Sequence, residues 1–291
     1  MGSSVDGALK RPVAAMSELA SGKGHRDENF PVASLLLKPV HRAPIMAFYR
    51  FARAADDIAD HPQAAPKDKL HKLAAMRAGL SGDGSPEAMA LAAIARQRGL
   101  DLVHAGELLD AFERDVTVHR YADWDDLMGY CRLSAMPVGR FVLDVCGEDR
   151  AVWPLSDALC AALQVINHLQ DMGKDYRDID RVYLPADMLG AAGVRVEDLA
   201  APASTAALRR VVAALAECAR GLLRESAPFA PSIRDSRLAA EVAIIQRLAE
   251  DLADVLTRRD PLAEQVHHGN GRAAWLAGGA LTRLAWTRLI A

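Results

Sequence analysis

Four aspartates in two pairs are the residues of this sequence best placed to do chemistry. Asp56 and Asp60 stand four residues apart in Tyr49-Arg50-Phe51-Ala52-Arg53-Ala54-Ala55-Asp56-Asp57-Ile58-Ala59-Asp60, and Asp171 and Asp175 repeat the spacing. The first stretch has no Gly or Pro and is rich in helix formers, so it reads as a helix. At about 100° per residue, Tyr49, Arg53, Asp56 and Asp60 fall within roughly 60° of one another, with Asp57 about 100° away as a bystander. Like charges four apart weaken an isolated helix by a few tenths of a kcal/mol, which implies a cation between the carboxylates. Mg²⁺ suits that place, because it takes one or two carboxylates and completes its shell with phosphate oxygens. A solvated acidic helix end is the alternative for this stretch taken alone.

The second constellation is predicted on a helix over 156–178. Gln164, Asn167, His168, Asp171 and Asp175 lie within about 100° on its wheel, backed by Leu163, Val165, Ile166, Leu169 and Met172. A solvated stripe is usually rich in Lys and Glu, whereas this one consists of oxygen ligands and hydrogen-bonding groups. Two facing helices, each with a carboxylate pair, would hold a diphosphate through Mg²⁺. Metal ions would neutralise charge on the departing diphosphate, and an apolar cavity would shelter a carbocation from water. Arg53 and Arg181 are candidates to take further phosphate charge.

The elements that must position these residues are read from prolines, glycines and periodicity. A short helix is expected over Val32–Leu37, ending near Pro39, and the opening helix is expected to start near Pro44 and stop near His61-Pro62. Helices follow over 67–80, 86–98 and 101–119, separated by the loop 81–86 and by Gly99. In the last of these, Glu107, Asp110, Arg114 and Asp115 read as a solvated charged face. Trp124 to Cys146 reads as one long helix kinked at Met136-Pro137. Tyr130, Ser134 and Val138 share a stripe on it, with Gly139 alongside, and core packing with a satisfied tyrosine hydroxyl explains that stripe equally well. Two long helices are expected over 204–226 and 236–257. The tail Arg272–Ala291 places Trp275, Trp286, Leu289 and Ile290 on one face, for packing on the bundle or for contact with a membrane interface. No strand-like alternation is sustained, so the fold class is all-α.

Composition bounds the rest. The 291 residues are 51% hydrophobic and only 5% aromatic, which allows a sizeable core and favours helices. The net charge of −3 leaves no basic footprint for nucleic acid. The four cysteines form no C-x-x-C pair and read as small buried hydrophobes in a reducing cytosol. No apolar run spans a bilayer, and Met1–Arg26 lacks the apolar core of a secretory signal. The domain reading is a polar leader over 1–26, a single domain over 27–271 and an amphipathic helix over 272–291.

Three motifs carry a family resemblance: Tyr49…Arg53-x-x-Asp56-Asp57-x-x-Asp60, Gln164-x-x-Asn167-x-x-x-Asp171-x-x-x-Asp175 and Arg181-Val182-Tyr183-Leu184-Pro185. Together they resemble the squalene/phytoene synthase family, from about Asn29 to about residue 260. The resemblance implies an isoprenoid-synthase helical bundle around a central cavity, Mg²⁺ and prenyl diphosphate chemistry. It assigns metal and diphosphate roles to Asp56, Asp60, Asp171 and Asp175, and diphosphate contacts to Tyr49 and Arg53. Cavity positions match Tyr130, Ser134, Val138, Gly139, Gln164 and Asn167, with His168, Arg181 and Tyr183 beside them. Most members carry Arg where this chain has Gln170. That variant and Asp27-Glu28-Asn29-Phe30-Pro31-Val32-Ala33-Ser34 are similar to the hydroxysqualene synthase branch of the hopanoid pathway. The branch implies ionisation of presqualene diphosphate, cation rearrangement and water quench, coupled to a presqualene diphosphate synthase upstream and a hydroxysqualene reductase downstream. Alternatives are a presqualene diphosphate synthase, a complete squalene or phytoene-type synthase acting on farnesyl diphosphate, or a non-catalytic assembly protein on the same fold. No Gly-rich dinucleotide fingerprint points to NADPH. The expected location is cytoplasmic, with peripheral contact at the inner face of the membrane.

Overall fold

Prolines and glycines divide this chain, and helices fill the intervals between them. The structure, a computed structural model, describes residues 37–290, within the unit Val32–Ala291. The expected leader, the Asp27–Ser34 motif and most of the short helix before Pro39 lie outside the described residues. The helices are α1 (Pro39–Ala59), α2 (Pro66–Leu80), α3 (Pro86–Arg98), α4 (Val103–Asp115), α5 (Trp124–Ser134), α6 (Met136–Cys146), α7 (Trp153–Ile179), α8 (Ala186–Ala192), α9 (Ala206–Glu225), α10 (Phe229–Ser232), α11 (Ser236–Leu256) and α12 (Asn270–Ile290). Among the described residues the β pairing is one isolated parallel bridge, Arg120 to Val182, so the all-α expectation holds.

Helix ends follow local chemistry. A proline stands in the first turn of α1, α2, α3 and α6, where its missing N–H costs nothing. Ser85, Asp123, Thr205 and Asp235 cap α3, α5, α9 and α11 by accepting backbone N–H groups. Gly99 ends α3 in the left-handed conformation at φ 64°.

Three boundaries differ from the sequence expectation. Helix α1 begins at Pro39 and carries Pro44 in its interior. Pro44 cannot donate to the Val40 carbonyl, and the Arg98 guanidinium donates to that carbonyl instead. The stretch 124–146 is two helices rather than one kinked helix: Ala135 leaves the helical path at φ −118°, and Pro137 opens α6. Helix α4 ends at Asp115, short of residue 119.

Helix α1 packs on α2, α3, α4 and α6, where Phe48 stacks on Phe141 with centroids 4.1 Å apart beside a fully buried Phe51. Helix α7 touches α5, α6, α9 and α11, and α12 lies along α11. The Asp251 carboxylate fixes the entry to α12, taking Arg272 Nε at 2.7 Å and His268 Nε2 at 2.9 Å. All four cysteines are free. Cys218 is exposed, which differs from the buried reading, while Cys131 is buried.

Asp235 joins the start of the described chain to α11. It accepts from the Arg237 and Leu238 amides at 2.8 and 3.2 Å and takes Lys38 Nζ at 2.7 Å. Burial pushes its pKa up, but Lys38 and the two amides outweigh burial and hold it below the ordinary carboxylate value. Asp251 and Asp260 are lowered in the same way, burial being outweighed by Arg272 at the first and by Ser204 at the second. A lowered folded pKa contributes stability that is complete above the unfolded value of about 3.9 and is lost as pH falls through the folded value. Asp235→Ala is expected to lose about 1 kcal/mol at neutral pH and to flatten the acid loss. Urea unfolding as a function of pH measures this, and an unchanged midpoint at pH 7 contradicts it.

Candidate active site

Arg53, projecting from α1, gathers both aspartates that follow it. Nη1 donates to Asp56 Oδ2 at 3.0 Å, and Nη2 lies 3.0 Å from Asp57 Oδ1. Asp57 is therefore no bystander, because a forked guanidinium reaches i+3 and i+4 together. Tyr49 is half-buried one turn before Arg53. Asp60 caps the helix, its backbone N–H bonded to the Asp56 carbonyl at 2.8 Å. Its Oδ1 is buried and without a hydrogen bond, 3.1 Å from Arg181 Nη1 in an ion pair. Lys69 of α2 donates to the Ala59 carbonyl at 2.7 Å, and burial lowers its pKa against the opposing pull of Asp60.

The turn after α7 delivers Arg181 to this place. Asp180 adopts the left-handed conformation at φ 51°, the one non-glycine residue among those described to do so. The Asp175 carbonyl receives the amides of both Asp180 and Arg181, so the second aspartate motif also shapes the turn. Arg120 donates to the Asp180 carbonyl and, at 2.6 Å, to its carboxylate. Val182 N–H donates to the His119 carbonyl and Ala186 N–H to the Tyr121 carbonyl, both at 2.9 Å, which lays 180–187 along 119–122.

Arg181 is 5% exposed. Besides Asp60, it donates to the Asp115 carbonyl at 3.1 Å and to the Tyr183 hydroxyl at 3.2 Å, and its Nε lies 3.7 Å from Asp115 Oδ1. Tyr130 donates to Asp115 Oδ2 at 2.9 Å. Burial opposes the charge on Arg181, but Tyr183, Asp115 and Asp60 raise its pKa above the ordinary value. Burial also pushes the Asp115 carboxyl up to about 7, against the pull of Arg181 and Tyr130. His168 stacks on Tyr183 with centroids 3.4 Å apart, and burial, with Arg181 second, drives its pKa well below the ordinary value. It is neutral, and its Nε2 is buried without a partner, as is Ser134 Oγ.

Asp60, Arg181, Tyr183, Tyr130 and His168 thus meet in one cluster. Asp115, expected on a solvated face, is a sixth member. A signal for it existed: Asp115 lies four residues after Ala111 and seven after Leu108, on the buried stripe of α4. Lys69 had no such signal. Asp171 is exposed and makes no hydrogen bond or ion pair with the described residues, Gln164, Asn167 and Asp175 are half-buried on α7, and Val138 is 40% exposed. Gly139 is the point where α6 meets α7, since a Cβ there would lie 2.4 Å from Ser156 Oγ and 2.6 Å from Cys160 Sγ. Gln170 donates to the Val266 carbonyl, tying α7 to the segment that leads into α12. At Gly173 a Cβ would meet Leu262 of that segment at 2.5 Å. Among the described residues no three His, Cys, Asp or Glu side chains converge closely enough to hold a metal ion alone.

The all-α bundle, with Asp56 and Asp60 at the end of α1 and Asp171 and Asp175 on α7, has the isoprenoid-synthase helical fold. The chain belongs to the squalene/phytoene synthase family, whose model, described as squalene/phytoene synthase, matches residues 24–276. It is 52% identical over 263 residues to a hydroxysqualene synthase of Zymomonas mobilis, covering 89% of each chain. It is 52% identical over 257 residues to a hydroxysqualene synthase of Rhodopseudomonas palustris, covering 88% of each. Among solved structures, a squalene synthase from Alicyclobacillus acidocaldarius aligns with a TM-score of 0.67 at 31% identity, covering 78% of this chain and 87% of that one.

Asp115 gives a pH test of the buried cluster. Its folded pKa stands above the unfolded one, so the folded state holds the extra proton and stability falls as pH rises from 3.8 to about 7. In EDTA, the stability difference between Asp115→Asn and the parent, whatever its size at low pH, is expected to shift in the variant's favour as pH rises across that window. A gap that stays constant with pH, or moves the other way, contradicts the assignment.

Proposed function

We propose that the protein converts presqualene diphosphate to hydroxysqualene. The observation that carries this reading is the near-full-length similarity to two proteins named hydroxysqualene synthase. The site's chemistry agrees with it. The bond between the C30 chain and the diphosphate oxygen breaks, and its electron pair leaves with the diphosphate. The cyclopropylcarbinyl cation opens, a water oxygen bonds to the resulting cation, and a proton leaves that oxygen.

The residues present fit Mg²⁺. The donor set is all carboxylate oxygen, Asp60 Oδ1 is buried without a hydrogen bond, and the Asp171 side chain has no partner among the described residues. Asp56, Asp60, Asp171 and Asp175 would hold the metal, with diphosphate oxygens completing its shell. Bound Mg²⁺ supplies Lewis-acid neutralisation of the leaving group.

The protein's own groups do the remaining work. Arg53 and Arg181 hold the carboxylates in place and offer positive charge to the diphosphate. Neutral His168, stacked on Tyr183, and the buried Tyr130 present a wall of low basicity to a cation. The unpartnered Ser134 Oγ and His168 Nε2 are polar atoms available to a bound water. Gln170 is spoken for by the Val266 carbonyl and brings no cation, which suits a site that ionises one diphosphate rather than coupling two. In this reading a separate synthase supplies presqualene diphosphate, a reductase consumes the product, and the long apolar chains of substrate and product suit an enzyme working at the inner face of the membrane.

With Mg²⁺ and no NADPH, presqualene diphosphate is expected to yield hydroxysqualene, and farnesyl diphosphate little or nothing, by gas chromatography–mass spectrometry. Asp56→Asn, Asp60→Asn, Asp171→Asn and Asp175→Asn are each expected to lower turnover by roughly 100-fold or more, with the helical circular dichroism retained. Efficient conversion of farnesyl diphosphate to squalene with NADPH would overturn the reading in favour of a complete synthase.

A further inference from the structure

Helix α12 has two unlike sides. Leu276, Ala280 and Leu284 are 1%, 6% and 9% exposed and pack it on the bundle. Trp275, Trp286, Leu289 and Ile290 are 72%, 64%, 79% and 67% exposed. At about 100° per residue, these four fall within an arc of roughly 100°, whose centre lies roughly 130° from that of the buried stripe. The tail thus satisfies its packing with one side and leaves both tryptophans outward on the other. Gly278, Gly279 and Thr282 lie between the tryptophans. Gly278 and Gly279, which have no side chains, leave a groove of about 360 Å³ lined with them by Arg247, Ala274, Trp275 and Leu276.

Charge identifies what this face meets. After Glu264 the sequence has no Asp or Glu and three arginines, Arg272, Arg283 and Arg288, in a chain of net charge −3. Arg272 is held by Asp251, and Arg288 donates to the carbonyls of Ala230 and Ile233. Arg283 is exposed at the flank of the tryptophan face, and its side chain has no partner among the described residues. A second copy of the chain seated on this face would bring arginine to arginine with no acid on α12 to meet either. Anionic headgroups above an apolar interior match both features, since Trp sits at the headgroup level and Arg at phosphate. No described helix is long and apolar enough to cross a membrane, so the contact lies in the interface plane.

We infer that the Trp275–Ile290 face of α12 docks this protein onto a bilayer carrying anionic lipid, with Arg283 selecting the negative surface. This deepens the membrane location proposed above and does not depend on which diphosphate is the substrate. The Asp251 clamp and the Gln170–Val266 bond fix α12 and its approach to the helices, so docking orients the whole described unit.

The test is co-sedimentation of the full chain with vesicles of phosphatidylcholine alone and of phosphatidylcholine mixed with phosphatidylglycerol. Binding to the mixed vesicles is expected to be at least tenfold tighter, and brominated lipid is expected to quench Trp275 and Trp286 but not Trp124 or Trp153. Trp275→Ser/Trp286→Ser should lose at least tenfold in binding. Arg283→Gln should lose a few-fold, on mixed vesicles only. Both variants should keep the parent's thermal melt and its turnover of detergent-solubilised substrate. Equal sedimentation of the parent and the double tryptophan variant overturns the inference. So does a concentration-dependent dimer, seen by sedimentation equilibrium, that the double variant abolishes. Because turnover is read separately, a protein that binds vesicles but fails to make hydroxysqualene counts against the proposed reaction alone.

Discussion

A guanidinium taken out of water has to be neutralised where it lies, and the architecture around Arg181 follows from that constraint. Removing a partner from a buried ion pair typically costs about 3–5 kcal/mol, so the groups facing it are not interchangeable. Asp60 comes from the end of α1, Asp115 from the end of α4, and Tyr130, which holds Asp115, from α5. The turn that carries Arg181 inward is made by the Asp175 carbonyl, the left-handed Asp180 and the clamp from Arg120. One buried charge thus fixes the relative placement of both aspartate motifs, one through its carboxylate and the other through its backbone.

The same arrangement explains how a bundle presents acidic groups without a ready-made metal cage. Asp56 and Asp57 share Arg53, and Asp60 faces Arg181, so the carboxylates of α1 are balanced by guanidinium groups. Asp171 on α7 stands exposed. No triad of ligands closes among the described residues. In the proposed reaction, Mg²⁺ bound here would keep open positions for phosphate oxygens. Beside it, the stacked His168 and Tyr183, held neutral by burial, give a dry wall.

Much of this was legible in the sequence because helical periodicity and proline position are local signals. The two Asp-x-x-x-Asp helices and the Gly99 break both follow from them. What was not legible depended on partners distant in sequence. Pro44 is tolerated inside α1 because Arg98 of α3 satisfies the carbonyl it orphans. Asp115 read as solvated because its charge outweighed its place on the apolar stripe, and its partners come from α5 and the segment after α7. Gly139 was placed among cavity positions by resemblance, and its lack of a side chain admits Ser156 and Cys160 of α7, which only the packing reveals. Gln170 read as a missing phosphate cation, and the structure adds a second employment for it, as the anchor of the segment before α12. For the tail, where packing on the bundle and contact with a membrane interface were the alternatives, Leu276, Ala280 and Leu284 pack while Trp275, Trp286, Leu289 and Ile290 stay exposed.

Joint binding of metal and diphosphate is the central requirement of the proposed reaction. Calorimetric titration of inorganic diphosphate into the full chain, in saturating Mg²⁺ and in EDTA, measures it. The expected result is affinity roughly tenfold or more higher with Mg²⁺, with the gain lost in both Asp60→Asn and Asp175→Asn. Equal affinity in EDTA, or a gain that survives in both variants, would contradict the account.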